Sequence, residues 1–168
     1  ILKNKEVAQN PTLESGLYLN LGNCYSDRKD FSTALYFYKK AISLQSSSTS
    51  GCRPGTVRTL SKMGDVYLQQ QQADRALAVF QEALNMPCLS VPLRAKLQLQ
   101  TGEALHQMGR FEEALTACNQ ALEVLDFNIL QQQPRYPLET LSALETRLSI
   151  LFDQLHAEKA NAASWKQL

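Results

Sequence analysis

The stretch Asn20-Leu21-Gly22-Asn23-Cys24-Tyr25, read with Ala34, Tyr38 and Ala41 downstream, decides the fold. A glycine inside a helical pattern removes a side chain where a second helix must pass close by, and an aromatic three residues on packs beside that gap. Alanines on the following helix keep the same contact short, because larger side chains would push the pair apart. The arrangement returns as Met63-Gly64 with Tyr67, Ala76, Phe80 and Ala83, and again as Thr101-Gly102 with Leu105, Ala114, Cys118 and Ala121. In each copy the glycine stands 12 residues before the first alanine, and that alanine 7 before the second. Successive glycines lie 42 and then 38 residues apart. Fixed spacing within units and variable spacing between them describes stacked helical hairpins joined by unequal linkers.

Working outward, the segment 1–10 reads as the tail of a preceding helix or a linker. Asn10-Pro11 supplies an N-cap followed by proline at the first helical position. Leu13, Leu17, Leu21 and Tyr25 then recur at i, i+4 as an apolar stripe. Asp30 is placed to cap the partner helix. The expected hairpins occupy about residues 11–45, 54–86 and 91–125, within a repeat region of 11–126. The polar tract Gln45-Ser46-Ser47-Ser48-Thr49-Ser50-Gly51 is a linker that cannot bury itself. Between the second pair of helices Gln69-Gln70-Gln71-Gln72 must turn without a glycine, which predicts a tight, partly helical turn. Residues 127–137 form another linker, 138–163 a single long helix, and 164–168 a tail. Leu141, Leu144, Leu148, Leu151 and Leu155 follow a 3, 4, 3, 4 spacing on that helix. Two readings fit: a cap laying this seam on the third hairpin, or a seam for self-association.

The order W-x2-L-G-x2-Y, then A-x3-F, then A, resembles the tetratricopeptide repeat, and three copies in phase cover about residues 11–126. No copy carries the first tryptophan, whose places hold Tyr18, Leu60 and Gln98. The long units are more similar to the long-repeat adaptors, such as kinesin light chains and Pins-type spindle-orientation adaptors, than to the short-repeat co-chaperones. The resemblance implies an all-α, right-handed α-solenoid of three hairpins plus a C-terminal capping helix, excised from a larger adaptor. It also implies a concave face, lined by the first helix of each hairpin, that takes a peptide segment or helix of another protein.

On those first helices the residues off the core stripe are Leu19, Asn20, Asn23 and Asp27; Arg58, Ser61, Lys62 and Asp65; and Lys96, Leu99, Gln100, Glu103 and His106. Amides can donate to and accept from a peptide backbone at once, while Leu19 and Leu99 would be shallow apolar seats. The co-chaperone clamp for a C-terminal carboxylate would fall on Leu19, Asn23, Lys62, Lys96 and Gln100. Only Asn23 and Lys96 match it, and the missing cations are those that would hold the carboxylate. This argues against heat-shock chaperone tails as the ligand.

Composition narrows the rest. A net charge of +1 gives no electrostatic footprint for nucleic acid or an anionic membrane, and no apolar run approaches the roughly 18 residues of a membrane span. Cys24, Cys52, Cys88 and Cys118 show no metal-site spacing, so neither a metal nor another cofactor is expected. Unpaired cysteines point to a reducing intracellular setting, taken as cytoplasmic before nuclear. Neither His106 nor His156 stands in a sequence context that supplies a nucleophile or an orienting acid, and no glycine-rich phosphate loop is present. A non-catalytic scaffold is the function expected, with self-association through the leucine helix as the alternative.

Overall fold

The computed structural model describes residues 11–46, 54–87, 89–125 and 137–165. The expectations for residues 1–10, for most of the serine-rich tract, for Cys52 and Cys88, and for the linker up to residue 136 lie outside the described residues. Those described fold into α1 (Pro11–Asp27), α2 (Phe31–Ser46), α3 (Pro54–Gln69), α4 (Ala73–Leu84), α5 (Val91–Gln107), α6 (Phe111–Val124) and α7 (Pro137–Trp165). They divide into two compact units, Ile1–Leu89 with the hairpins α1/α2 and α3/α4, and Ser90–Leu168 with α5/α6 and α7.

Each hairpin turns in the same way. Lys29, Gln71 and Gly109 take φ of 60°, 59° and 73°, in the left-handed region. The next residue donates its N–H back to a carbonyl five positions earlier, as Asp30 to Tyr25, Gln72 to Tyr67 and Arg110 to Leu105, each at 2.9 Å. Only Gly109 holds this conformation without a side-chain penalty. The glutamine turn is therefore tight, as expected, and carries its strain at Gln71. Asp30 caps α2, accepting from the Thr33 N–H at 3.2 Å and the Ser32 hydroxyl at 3.0 Å. The bonds from Thr33 and Ser32 hold its carboxyl below the usual range. No side-chain cap serves α6 at Arg110. Instead the Arg110 guanidinium forks onto Glu113 at 2.7 and 2.6 Å, keeping that carboxylate ionised in the first turn.

The packing glycines do what their spacing implies, to different degrees. A β-carbon at Gly22 would overlap the Tyr38 ring, and one at Gly64 the Phe80 ring. At Gly102 it would lie 3.1 Å from the Cys118 sulfur and 3.2 Å from the Ala114 carbonyl oxygen. Ala34, Ala41, Ala76, Ala83, Ala114 and Ala121 are all fully buried. In the first unit Ala34 and Tyr38 of α2 cluster with Met63 and Val66 of α3, which seats the second hairpin on the first. In the second unit Ala95, Ala121, Leu122 and Leu125 surround Ala143 of α7.

Two apolar stripes differ from expectation. Leu13, Leu17 and Leu21 face outward from α1, whose buried residues are Ser15 and Gly22. On α7 only Leu144 of the leucine seam packs on the third-hairpin cluster. Thr140, Ala143 and Ile150 are buried against the third hairpin, with Leu144 half-buried beside them. Leu141, Leu148, Leu151 and Leu155 remain exposed, Leu148 to 66%. Helical periodicity puts those leucines on one face, and small or β-branched residues on another face fit the hairpin more closely.

The glycine contacts set a graded test. Gly64→Ala, which must displace a buried ring, should cost about 1–3 kcal/mol. Gly102→Ala needs a shift of a few tenths of an ångström and should cost clearly less. Urea unfolding monitored by circular dichroism measures both; equal costs would contradict this packing.

Candidate functional site

In the first unit the second helix of one hairpin and the first helices of two hairpins frame an open cleft of about 290 Å3. Asn23, Ser26 and Asp27 come from α1, Tyr38 from α2, and Lys62, Asp65 and Gln69 from α3. Their spacing explains the gathering: Asn23 and Asp65 each follow a packing glycine by one residue, and Asp27 and Gln69 lie one turn further along the same faces. Lys62 stands one turn before Asp65.

Tyr38 links the core to this cleft. Its ring fills the space left by Gly22, and its hydroxyl emerges beside Asn23, donating to Oδ1 at 2.9 Å. A buried phenol needs such a partner. Burial pushes the Tyr38 hydroxyl up to about 12; the Ser26 hydroxyl opposes the shift, and the charges of Asp65 and Asp27 add to it. With its carbonyl engaged, Asn23 meets a ligand chiefly as a donor through Nδ2. Lys62 Nζ lies 3.8 Å from Asp65 Oδ2, a long and solvent-exposed pair that holds the lysine only weakly. The cleft thus offers two amides, two carboxylates and one weakly held ammonium.

Of the thirteen residues expected on the concave face, Asn23, Asp27, Lys62 and Asp65 line this cleft. Asn20 and Arg58 are exposed elsewhere on their helices. Leu19 is half-buried and packs partly into the first-unit core. Ser61 is 1% exposed and belongs to the interior of α3. In the second unit Lys96 and Glu103 are exposed, Leu99 packs on the core cluster, and Gln100 is 6% exposed, a second polar residue turned inward. His106 contacts α7: its Nε2 meets Asp153 Oδ2 at 2.9 Å, and its ring lies 5.6 Å from that of Phe111. Ser26, Gln69 and Tyr38 were absent from the expectation. The first two repeat the polar spacing one turn on, whereas Tyr38 comes from the second helix and could be found only through its neighbour Gly22.

A second depression, about 360 Å3, lies in the other unit between the start of α6 and α7. None of the expected residues lines it, and its polar groups serve one another: Gln154 Nε2 donates to Glu112 at 2.7 Å and to Glu158 at 3.2 Å. Among the described residues no group of three or more His, Cys, Asp or Glu side chains could hold a metal ion. No described helix is long and apolar enough to cross a membrane.

Two family models, both described as Tetratricopeptide repeat, match residues 13–87 and 61–128. Comparison with curated proteins gave no match. Among solved structures, BtubC (BKLC) from P. vanneervenii is similar with a TM-score of 0.74 and 16% identity, over 91% of this chain and 61% of that one. The N-terminal domain of stress-induced protein-1 (STI-1) from C. elegans gives 0.61 and 19%, over 81% and 96%. The second TPR domain of human RPAP3, solved in complex with the HSP70 peptide SGPTIEEVD, gives 0.61 and 16%, over 84% and 98%. At these identities the likeness is one of fold.

The raised Tyr38 pKa gives a pH dependence. In the unfolded chain the phenol ionises near 10, and in the fold only near 12. Its stabilising contribution is therefore complete below pH 10 and is lost as pH rises toward 12. Cys118, which burial pushes up to about 11, adds to the same alkaline loss. Melting temperatures across this range should fall less steeply in Tyr38→Phe than in wild type, at a cost near neutrality of about 0.5–1.5 kcal/mol for the lost hydrogen bond. Parallel curves would show that Tyr38 is not buried as described.

Proposed function

We propose that this chain, which belongs to the tetratricopeptide repeat family, is a non-catalytic adaptor module that binds a segment of another protein in the cleft between its first two hairpins. The observation that carries this reading is the meeting of Asn23, Asp27, Lys62 and Asp65 in one open depression, with Asn23 held by a buried tyrosine. A polar cleft with fixed amide and carboxylate groups suits an extended backbone with a basic side chain, since Asn23 and Gln69 can hydrogen-bond peptide groups and the two aspartates can receive a cation. Binding so organised brings partners together around the chain and does not transform them.

Two further aspects belong to the same reading. The segment bound is not a chaperone tail gripped through its terminal carboxylate. Where a clamp would need cations, Leu19 lies in core packing and Gln100 is turned inward. The module acts in the cytoplasm, as part of a larger protein assembling a multiprotein complex.

The test is selection from a random peptide library on immobilised wild-type chain, with affinities of the enriched peptides measured by titration calorimetry. Asp27→Asn should weaken binding about tenfold, the loss of one charged contact of about 1.4 kcal/mol, with unchanged melting temperature, while Asn23→Ala should weaken it similarly and also lower the melting temperature, because it takes the acceptor from the buried Tyr38 hydroxyl. Peptides that bind both variants as well as wild type would place the binding surface elsewhere.

A further inference from the structure

Every residue around the first-unit cleft presents a polar group, and its volume of about 290 Å3 is small for a ligand site. Pockets that take whole small molecules run from about 300 to 1,000 Å3, so this one suits a single side chain of a bound segment. Charge decides which. Asp27 and Asp65 bring two negative charges and Lys62 one positive, which leaves the cleft negative. Asp27, exposed at the end of α1, forms no ion pair among the described residues, and Asp65 meets Lys62 only at a long 3.8 Å. The two carboxylates act on one point from different helices, since the charges of both raise the Tyr38 hydroxyl that opens on the cleft. An apolar side chain placed here would take water from these groups and return no hydrogen bond. An acidic one would add a third carboxylate. A cation answers both aspartates.

We propose that the cleft takes an arginine side chain of the bound segment between Asp27 and Asp65, and that Lys62 is a built-in competitor which this arginine displaces. The inference rests on the cleft being the binding site and names what fills it. Arginine is favoured over lysine by the shape of its charge. A guanidinium is planar, with N–H groups along more than one edge, and can donate to carboxylates on two helices at once. An ammonium is a compact, strongly hydrated point charge. The cleft already holds one, so a lysine from outside would repeat what Lys62 supplies and gain little. The Lys62 side chain is 45% exposed, and its ammonium can swing into water as the guanidinium enters. While it stays, it weakens the field that any cation meets, so a cation with directed hydrogen bonds to both carboxylates gains most from displacing it. Asn23, its Oδ1 taken by Tyr38 at 2.9 Å, keeps Nδ2 for a backbone carbonyl beside that arginine.

Three random peptide pools, identical but for a fixed central arginine, lysine or glutamine, test this on the immobilised whole chain, with retained peptides titrated by calorimetry. The arginine pool should bind wild type about tenfold better than the glutamine pool, the margin of one charge-assisted pair, and clearly better than the lysine pool. Asp27→Asn should erase most of that preference. Lys62→Met keeps the length of the stem and removes the charge. It should tighten arginine peptides about fivefold, the effect of one like charge a few ångströms away in water. Both variants should keep the wild-type melting temperature, since both side chains reach solvent. Equal retention of the three pools, with binding still weakened in Gln69→Ala, overturns the arginine assignment while the cleft stands as the site. Binding that ignores Asp27→Asn and Gln69→Ala alike, or no retention of any pool, overturns the cleft and this inference together. Weaker binding of arginine peptides to Lys62→Met would make Lys62 a ligand contact and overturn its role as competitor.

Discussion

An aromatic ring pressed against a helix that has no side chain at the point of contact is the constraint on which the first unit depends. Tyr38 over Gly22 and Phe80 over Gly64 bring the helices of each hairpin close enough for the alanines around them to be buried completely. Close approach excludes water and leaves few voids, so a small β-carbon there meets a ring that has nowhere to go. The third hairpin relaxes the rule by placing Cys118 where the others have a ring, and its helices meet through a sulfur and a carbonyl. Tyr38 has consequences beyond its own hairpin. Its ring belongs to the cluster with Met63 and Val66, and its hydroxyl orients Asn23 at the cleft. One residue thus joins helix spacing, hairpin stacking and the orientation of a polar group at the cleft.

The cleft's electrostatics follow from where its groups sit. Tyr38 is fixed by burial and Asn23 by its bond to Tyr38, while Lys62 and Asp65 remain near solvent at a distance that confers little mutual stabilisation. A fixed amide thus stands beside charges that are free to adjust.

The hairpins were legible in the sequence because close helix contact demands small residues at fixed offsets, and those offsets survive unequal linkers. The same offsets located Asn23, Asp27, Lys62 and Asp65, which share a face relative to the glycines. What covers each face was not legible. Periodicity groups Leu13 with Leu17 and Leu21, and Leu141 with Leu148 and Leu155, but a leucine stripe looks the same whether it is packed or bare. Ser61 and Gln100 defeated the assumption that polar residues point outward. A hydroxyl or amide is admitted to the interior once it has partners. Tyr38 entered the site through the third dimension, carried there by the residue it packs against.

Cys118 gives this packing a further meaning. Burial leaves its sulfur protonated well above neutral pH, and its thiol lies against the backbone of α5 at Gly102. Cys24, on α1, is open to solvent. A soluble alkylating reagent can therefore reach Cys24 in the native state, whereas at Cys118 it must wait for α5 and α6 to part and for the thiolate to form. The ratio of the two labelling rates is a native clock, reporting how often the third hairpin breathes while the rest of the chain stays folded.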